Sequence, residues 1–73
     1  MPNPIINART VLLYPDEDGI FIAEVPSLPG CISQGETRTA ALTNIKEAID
    51  LNIEVLQERG EPVPPDAIEV VQV

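Results

Sequence analysis

The chain has 73 residues, with twelve acidic side chains, four basic ones and no histidine, which gives a formal net charge of −8 at pH 7. This length predicts one small domain, residues 1–73, whose core alone provides little net stability. A single cysteine excludes an internal disulfide bond, and the lack of histidine leaves no ordinary zinc site. The negative charge disfavours direct binding to nucleic acids and anionic lipids. It favours a basic protein partner, although it is also compatible with a role in solubility alone.

The ends and apolar runs of the sequence predict a cytoplasmic protein. The N-terminus lacks a basic region followed by a long apolar run, so we expect no signal peptide. No apolar stretch approaches the roughly 20 residues that a membrane-spanning helix needs. We therefore expect no membrane anchor.

The first half of the chain reads as three strands joined by tight turns. Residues 5–14 are rich in apolar and β-branched side chains, and 11–14 are apolar on both faces, which is typical of a central strand. The sequence P-D-E-D-G at 15–19 has the chemistry of a turn, with Gly19 able to adopt a positive φ. Residues 20–25 form the second predicted strand, with Phe21 and Ala23 on the face opposite Ile20, Ile22 and Glu24.

A connector stiffened by Pro26 and Pro29, and followed by Gly30, leads to a short third strand that ends at Gly35. Residues 37–59 then predict one long amphipathic helix. Thr37 is its expected N-cap, and Gly60 its expected stop. The apolar positions recur at helical spacing: Leu42, Ile45, Ile49, Ile53 and Leu56. The opposite face carries an acidic stripe, which is either a solvated surface or a second place for a partner: Glu47, Asp50, Glu54 and Glu58.

The end of the chain completes the predicted fold. The prolines of residues 61–65 exclude further helix, and residues 66–73 predict a fourth strand. The order β-β-β-α-β predicts a two-layer α+β domain with a mixed four-stranded sheet and a right-handed crossover. One helix covers only one face of such a sheet, so we expect a homo-oligomer, most simply a dimer, to bury the other. The apolar residues expected on that oligomer face are Leu12, Ile20 and Ile22.

The sequence contains no recognisable catalytic or metal-binding arrangement. The cluster at Asp16, Glu17 and Asp18 lacks the acidic positions of an EF-hand, because Ile20 and Ser27 stand where ligands are required. Three acids in one turn also differ from a two-metal site, whose carboxylates converge from separate elements. The cluster is therefore either a solvated turn or a contact for a basic partner.

Cofactor and nucleophile chemistry are equally unsupported by the sequence. Cys31 has no histidine to act as its base, and a cysteine in a strand is usually a small core residue. The chain has no glycine-rich phosphate loop, and its two aromatic residues are too few for base stacking. We expect no cofactor and no enzyme activity, and we interpret the chain as a binding protein.

Four short motifs, in this order and at these distances, resemble the HicB-like antitoxin family. They are V-P-x-L-P-G-C at 25–31, G-[DE]-T at 35–37, N-x-x-E-A at 44–48 and G-x-x-[IV]-P at 60–64. The resemblance implies a partial ribonuclease H-like domain and an oligomer. It also implies a non-enzymatic antitoxin that binds and neutralises a HicA-type toxin, a small basic protein that cleaves messenger RNA. The motif residues to which we assign structural roles are Gly19, Pro26, Pro29, Gly30, Gly35, Thr37 and Gly60.

The acidic residues expected to contact such a toxin are Asp16, Glu17, Asp18, Glu24 and Glu36. The chain departs from the family pattern at Ser27 and Thr39, where relatives often carry acids. It also shows no C-terminal DNA-binding segment of the kind that many family members have, so we expect no direct DNA binding. The alternative is an orphan oligomeric scaffold or regulatory protein that keeps the fold without a toxin.

Overall fold

The computed structural model describes residues 8–73, so the start of the predicted first strand, residues 5–7, lies outside the described residues. The described chain forms three strands followed by one long helix: β1 (Leu12–Pro15), β2 (Phe21–Glu24), β3 (Ile32–Gly35) and α1 (Arg38–Glu58). The α+β class and the order of these four elements therefore agree with the prediction.

The three strands form one antiparallel sheet in the order β1-β2-β3. Among residues 8–73, β1 is thus an edge strand, and the prediction that it is central is wrong. Its side chains divide between two environments, because Val11 and Leu13 pack against the core whereas Leu12 and Tyr14 remain 42 % exposed. An uncovered outer face, rather than a central position, explains why apolar residues occur on both sides of β1.

The helix covers only one face of the sheet. Its buried residues are Ala41, Ile45, Ile49 and Ile53, and Leu42 and Leu56 pack at the margins. Together with residues from β2 and the β2–β3 connector they form the core: Ala23, Val25, Leu28 and Cys31. Full burial of one large aliphatic side chain contributes about 1.5–3 kcal/mol. Because the buried apolar side chains of the described residues lie in this one interface, it accounts for most of the hydrophobic stabilisation. Within residues 8–73, no helix is long and apolar enough to cross a membrane.

Both ends of α1 are closed by local hydrogen bonds. At the start, the hydroxyl of Thr37 accepts from the backbone amide of Ala40 at 3.0 Å, as expected of an N-cap. At the end, Gly60 adopts a φ of 70° and donates to the carbonyl of Gln57, while Glu61 donates to that of Leu56. These two bonds form a Schellman motif, which satisfies carbonyl groups that the last turn would leave unpaired.

The start of α1 lies directly against the last residue of β3. A Cβ atom added to Gly35 would lie 2.4 Å from the backbone nitrogen of Ala41 and 2.7 Å from the carbonyl carbon of Ala40. Both atoms belong to backbone, so no side-chain rotation relieves the contact. Gly35 is therefore the residue that permits the close approach of sheet and helix. The side-chain amide of Asn44 adds a bond across the same junction by donating to the carbonyl of Gln34 at 2.8 Å.

The single chain does not show the predicted fourth strand. Residues 61–73 form neither helix nor strand, and no hydrogen bond in the described part of the chain involves residues 67–73. Without a fourth strand, the predicted right-handed crossover is absent as well. Residues 61–65 instead lead to a network of side-chain hydrogen bonds that fixes the chain at Asp66.

We call this network the anchor, and it consists of Arg9, Thr10, Ser27, Pro64 and Asp66. One carboxylate oxygen of Asp66 accepts from the amide of Thr10 at 2.9 Å and from its hydroxyl at 2.7 Å, and the other accepts from the hydroxyl of Ser27 at 2.8 Å. The guanidinium group of Arg9 donates to the carbonyl of Pro64 and to the Ser27 hydroxyl. The anchor thus joins residues 9–10 and 64–66 to the β2–β3 connector.

Replacing Gly35 with alanine should destabilise the domain by about 1–3 kcal/mol, because helix and strand must move apart to accommodate the new methyl group. Thermal unfolding followed by circular dichroism would measure the loss. Gly60→Asn is the control, because its site has a positive φ that asparagine tolerates and no atom within 4 Å of the added Cβ. Equal stability of Gly35→Ala and wild type would contradict the close approach.

The anchor should make stability depend on pH. Hydrogen bonds from Thr10 and Ser27, with a smaller contribution from the charge of Arg9, hold the pKa of Asp66 below its usual value of 3.8. Folding therefore favours the charged form, so the stabilisation is complete above that usual value and is lost as the pH falls through the lowered pKa. We expect Asp66→Asn to unfold at a lower temperature than wild type near pH 7.

The difference between Asp66→Asn and wild type should shrink when the same melts are recorded at progressively lower pH, below the usual pKa of an aspartate. Glu47→Gln is the matched control, because it removes one negative charge from an exposed position on α1. A difference between Asp66→Asn and wild type that does not change with pH would show that the carboxylate charge does not contribute through the anchor.

Candidate functional site

The acids of the β1–β2 turn have different roles in the structure. One carboxylate oxygen of Asp16 accepts from the amides of Asp18 at 2.8 Å and Ile20 at 2.9 Å. The backbone of Asp16 also bonds to Gly19, whose φ is 82°, and to Ile20. The Asp16 side chain is thus occupied in holding the turn, whereas Glu17 and Asp18 are exposed. Of the three acids, Glu17 and Asp18 therefore present carboxylates that do not take part in holding the turn.

The register of the sheet brings these acids towards one more. Pro15 pairs with Phe21, which in turn pairs with Gly35, so the β1–β2 turn and the residue after Gly35 lie at the same end of the sheet. That residue is the exposed Glu36. We call this region the acidic end and define it by the following residues: Asp16, Glu17, Asp18 and Glu36. It is an exposed surface of concentrated negative charge.

Glu24, the fifth expected contact residue, lies away from the acidic end. It pairs with Leu12 and Ile32, three residues along β2 from the pairing at Phe21, which corresponds to roughly 10 Å. Its carboxylate accepts a hydrogen bond of 2.6 Å from the hydroxyl of Tyr14 on the outer face of the sheet. The structure therefore separates Glu24 from the other acids and gives it a partner within the chain.

The outer face of the sheet carries the residues expected to form an oligomer interface. Strand alternation places Leu12, Tyr14, Ile22, Glu24 and Ile32 on the side opposite α1. Ile32 is 57 % exposed, and Ile20 and Ile22 are half-buried. We call this surface the open face. It carries apolar side chains on all three strands beside the polar Glu24 and Gln34, and Leu12, Tyr14 and Ile32 are exposed on it.

A groove of about 520 Å³ lies between the β2–β3 connector and the second half of α1. Its walls are largely apolar, and its rim includes Arg59 and Pro64. Its lining includes Leu28, Cys31, Ile32, Leu51 and Leu56. The groove could not be predicted from the sequence, because its lining combines residues of the connector with residues of α1 that lie far apart in the chain.

The arrangement provides charge and apolar surface rather than catalytic groups. Cys31 is buried, and its burial raises the pKa of the thiol, which disfavours the thiolate that a nucleophile requires. Among residues 8–73, no three cysteine, aspartate or glutamate side chains form a group that could hold a metal ion. The described surface offers exposed carboxylates and exposed apolar side chains.

The pair of Tyr14 and Glu24 gives a direct test of the open face. The hydrogen bond that Tyr14 donates to the Glu24 carboxylate raises the pKa of Tyr14 above the usual value of 10.0. Desolvation of Tyr14 and the negative charge of Glu24 act in the same direction. Tyr14 is the only tyrosine, so an ultraviolet absorbance titration reports on it alone. Glu24→Gln should lower the titration midpoint, because the amide carries no charge.

Glu36→Gln is the control for this titration, because it removes an exposed acid at the other end of the sheet and should leave the midpoint unchanged. Circular dichroism at each pH would show that the chain remains folded. If Glu24→Gln and Glu36→Gln had the same midpoint as wild type, the pair would not exist in solution.

Comparison with known proteins places this fold in one family. Residues 10–73 match the family described as the HicB-like antitoxin of the bacterial toxin–antitoxin system. The protein called UPF0150 protein Ta0767 from Thermoplasma acidophilum is 48 % identical over 64 residues, covering 88 % of this chain and 93 % of its own. A UPF0150 protein from Helicobacter pylori is 53 % identical over 47 residues, which cover 64 % of this chain and 60 % of its own.

A further relative is encoded by a bacteriophage. The uncharacterised 14.9 kDa protein in the rep-hol intergenic region of Haemophilus phage HP1 is 41 % identical over 58 residues, which cover 73 % of this chain but only 43 % of the phage protein. No solved structure matches the chain significantly. Because the family match spans nearly all of the described residues, the chain belongs to the HicB-like antitoxin family of bacterial toxin–antitoxin systems.

Proposed function

We propose that this chain is a non-enzymatic antitoxin that binds and neutralises a small basic toxin of the HicA type, which cleaves messenger RNA. Family membership supports the antitoxin role. The observation that carries the choice of partner is the acidic end, where Glu17, Asp18 and Glu36 are exposed on a chain with a net charge of −8. A ribonuclease needs a basic surface to bind RNA phosphates, and carboxylates can occupy that surface in their place.

The mechanism that follows is occlusion of the surface with which the toxin binds RNA. The turn held by Asp16 presents Glu17 and Asp18 without any movement of the sheet, so little conformational entropy is lost when a partner binds. Opposite charges on the two surfaces also accelerate encounter. Neutralisation would take place in the cytoplasm, where the RNA substrate of the toxin is found.

We also propose that the chain forms a homo-oligomer, most simply a dimer, in which the open face is covered. Leu12, Ile20 and Ile22 are its expected contact residues, and the exposure of Leu12 and Ile32 supports this assignment. The strand order agrees with the first three strands of a partial ribonuclease H-like domain, which we propose as the fold. An orphan scaffold would keep this oligomer and bind no toxin.

The first experiment is purification of the tagged chain from its native host at low salt, followed by mass analysis of bound proteins. Bound proteins are then separated under denaturing conditions, refolded and assayed for RNA cleavage. The proposal predicts a small basic ribonuclease in near-stoichiometric amount, whose activity falls when the chain is added back. Recovery of the chain alone would support the orphan scaffold instead.

Charge reversal at the acidic end tests where the toxin binds. Glu17→Lys with Asp18→Lys should lower the association rate constant by about tenfold or more at low salt, because it replaces attraction with repulsion. Asp16 is left unchanged, because its carboxylate holds the turn. Stopped-flow measurement with the purified toxin would give the rate, and size-exclusion chromatography would show that the oligomer is intact.

Glu54→Lys with Glu58→Lys is the matched control, because it changes net charge by the same amount at exposed positions near the other end of α1. This control should slow association much less. If the helix variant slowed association more than the turn variant, the interface would lie on the acidic stripe of the helix. Equal effects of the two variants would mean that only the total charge matters.

A further inference from the structure

Residues 67–73, which we call the C-terminal segment, are exposed within the described chain except for the half-buried Ile68. Their backbone amides and carbonyls form no hydrogen bond within the described residues. Val70 is 77 % exposed and Val71 is 62 % exposed, and Val73 is exposed as well. Valine is favoured in strands and is normally buried, so this segment has the composition of a strand without the environment of one.

The start of the C-terminal segment is nevertheless fixed in position. Asp66 is bonded to Thr10 and Ser27, and the carbonyl of Pro64 is bonded to Arg9. Pro64 also stands on the rim of the apolar groove, although none of residues 67–73 lines it. The segment therefore leaves the anchor close to a groove that it does not enter in its own chain. Fully extended, its seven residues would reach at most roughly 25 Å.

The groove has the properties of a site for an apolar strand. Ile32 and Leu51 form exposed apolar walls, and Leu28 and Cys31 form part of the buried lining. β3 is the neighbouring edge strand, and no other strand in the described part of the chain pairs with its outer side. One carbonyl of this strand, that of Gln34, is occupied by Asn44 near the start of the helix, whereas Ile32 lies at the other end, beside the groove.

We propose that two copies of the chain exchange their C-terminal segments, so that residues 67–73 of each copy lie in the groove of the other and extend its sheet beside β3. Donor and acceptor belong to the same sequence, so an exchange about a two-fold axis satisfies both grooves at once and closes the assembly. The unpaired backbone groups of the segment bond to the free edge of β3, and the valines cover Ile32 and Leu51.

Charge supports a second copy, rather than the toxin, as the occupant of this groove. The charged residue on its rim is Arg59, which would repel a basic toxin. Within residues 67–73 the charged side chain is Glu69, which complements Arg59. The exchange leaves the acidic end uncovered. Of the open face it covers Ile32, so Leu12, Ile20 and Ile22 remain available for further assembly.

Cysteine cross-linking between two different chains tests the exchange directly. A chain carrying Val71→Cys is mixed with a chain that carries Leu51→Cys and a tag of different length. Both are unfolded and refolded together so that they can form mixed dimers. Diamide then oxidises neighbouring thiols. We expect a disulfide-linked product of the two chains on a non-reducing gel. Both chains also carry Cys31→Ala, because the native thiol lines the same groove and would otherwise compete.

Thr43→Cys replaces Leu51→Cys in the matched control, because Thr43 is exposed on the same helix but does not line the groove. Cross-linking with Val71→Cys should be at least about tenfold slower for this control, since contact rather than random collision sets the rate. Equal rates for the Leu51 and Thr43 variants would overturn the exchange, whatever the outcome of the toxin experiments.

A second measurement uses charge in place of cysteine. Val70→Asp with Val71→Asp should raise the dissociation constant of the dimer by about tenfold or more, because it places two carboxylates against apolar walls. Ala67→Asp with Gln72→Asp adds the same two charges at exposed positions of the segment and should have a much smaller effect. Sedimentation equilibrium gives both constants. Equal constants for the two variants would exclude the valines from the interface.

Discussion

The structure depends on the packing of a single helix against a single face of a three-stranded sheet. Gly35 makes this possible, because the start of α1 approaches it more closely than any side chain would allow. From that junction the isoleucines of the helix continue along β2 and β3 and bury the central residues of the domain. A domain built this way has one covered sheet face and one open one. The apolar surface that the helix leaves exposed is therefore a consequence of this architecture.

The acidic residues divide according to whether the chain itself uses them. Asp16 holds a turn, Asp66 holds the anchor and Glu24 accepts from Tyr14, so each has a partner within the chain. Glu17, Asp18 and Glu36 are exposed at one end of the sheet. A dense run of acids in sequence thus contains both structural and surface carboxylates, and only the hydrogen bonds distinguish them. This division determines which residues can be changed without disturbing the fold.

Local patterns were sufficient to predict the helix, its cap at Thr37 and the three strands. These features depend on spacing and on interactions between neighbours in sequence, which the chain shows directly. The position of β1 at an edge and the absence of a fourth strand could not be read in this way. A strand needs a partner strand as well as a suitable composition, and residues 67–73 pair with no strand in the described part of the chain. Prediction of the candidate site was limited in the same way, because sequence spacing does not reveal the hydrogen-bond partners of Asp16 and Glu24.

The anchor has a consequence for the order in which the domain folds. The hairpins and the helix form between residues close in sequence, whereas Thr10 and Asp66 are 56 positions apart. Closing a long loop costs conformational entropy that is recovered only when the ends meet, so such contacts tend to form after local ones. The anchor is therefore expected to close late, when the helix already lies on the sheet. Only then is residue 66 held in place, so any strand pairing by the residues that follow belongs to assembly rather than to folding.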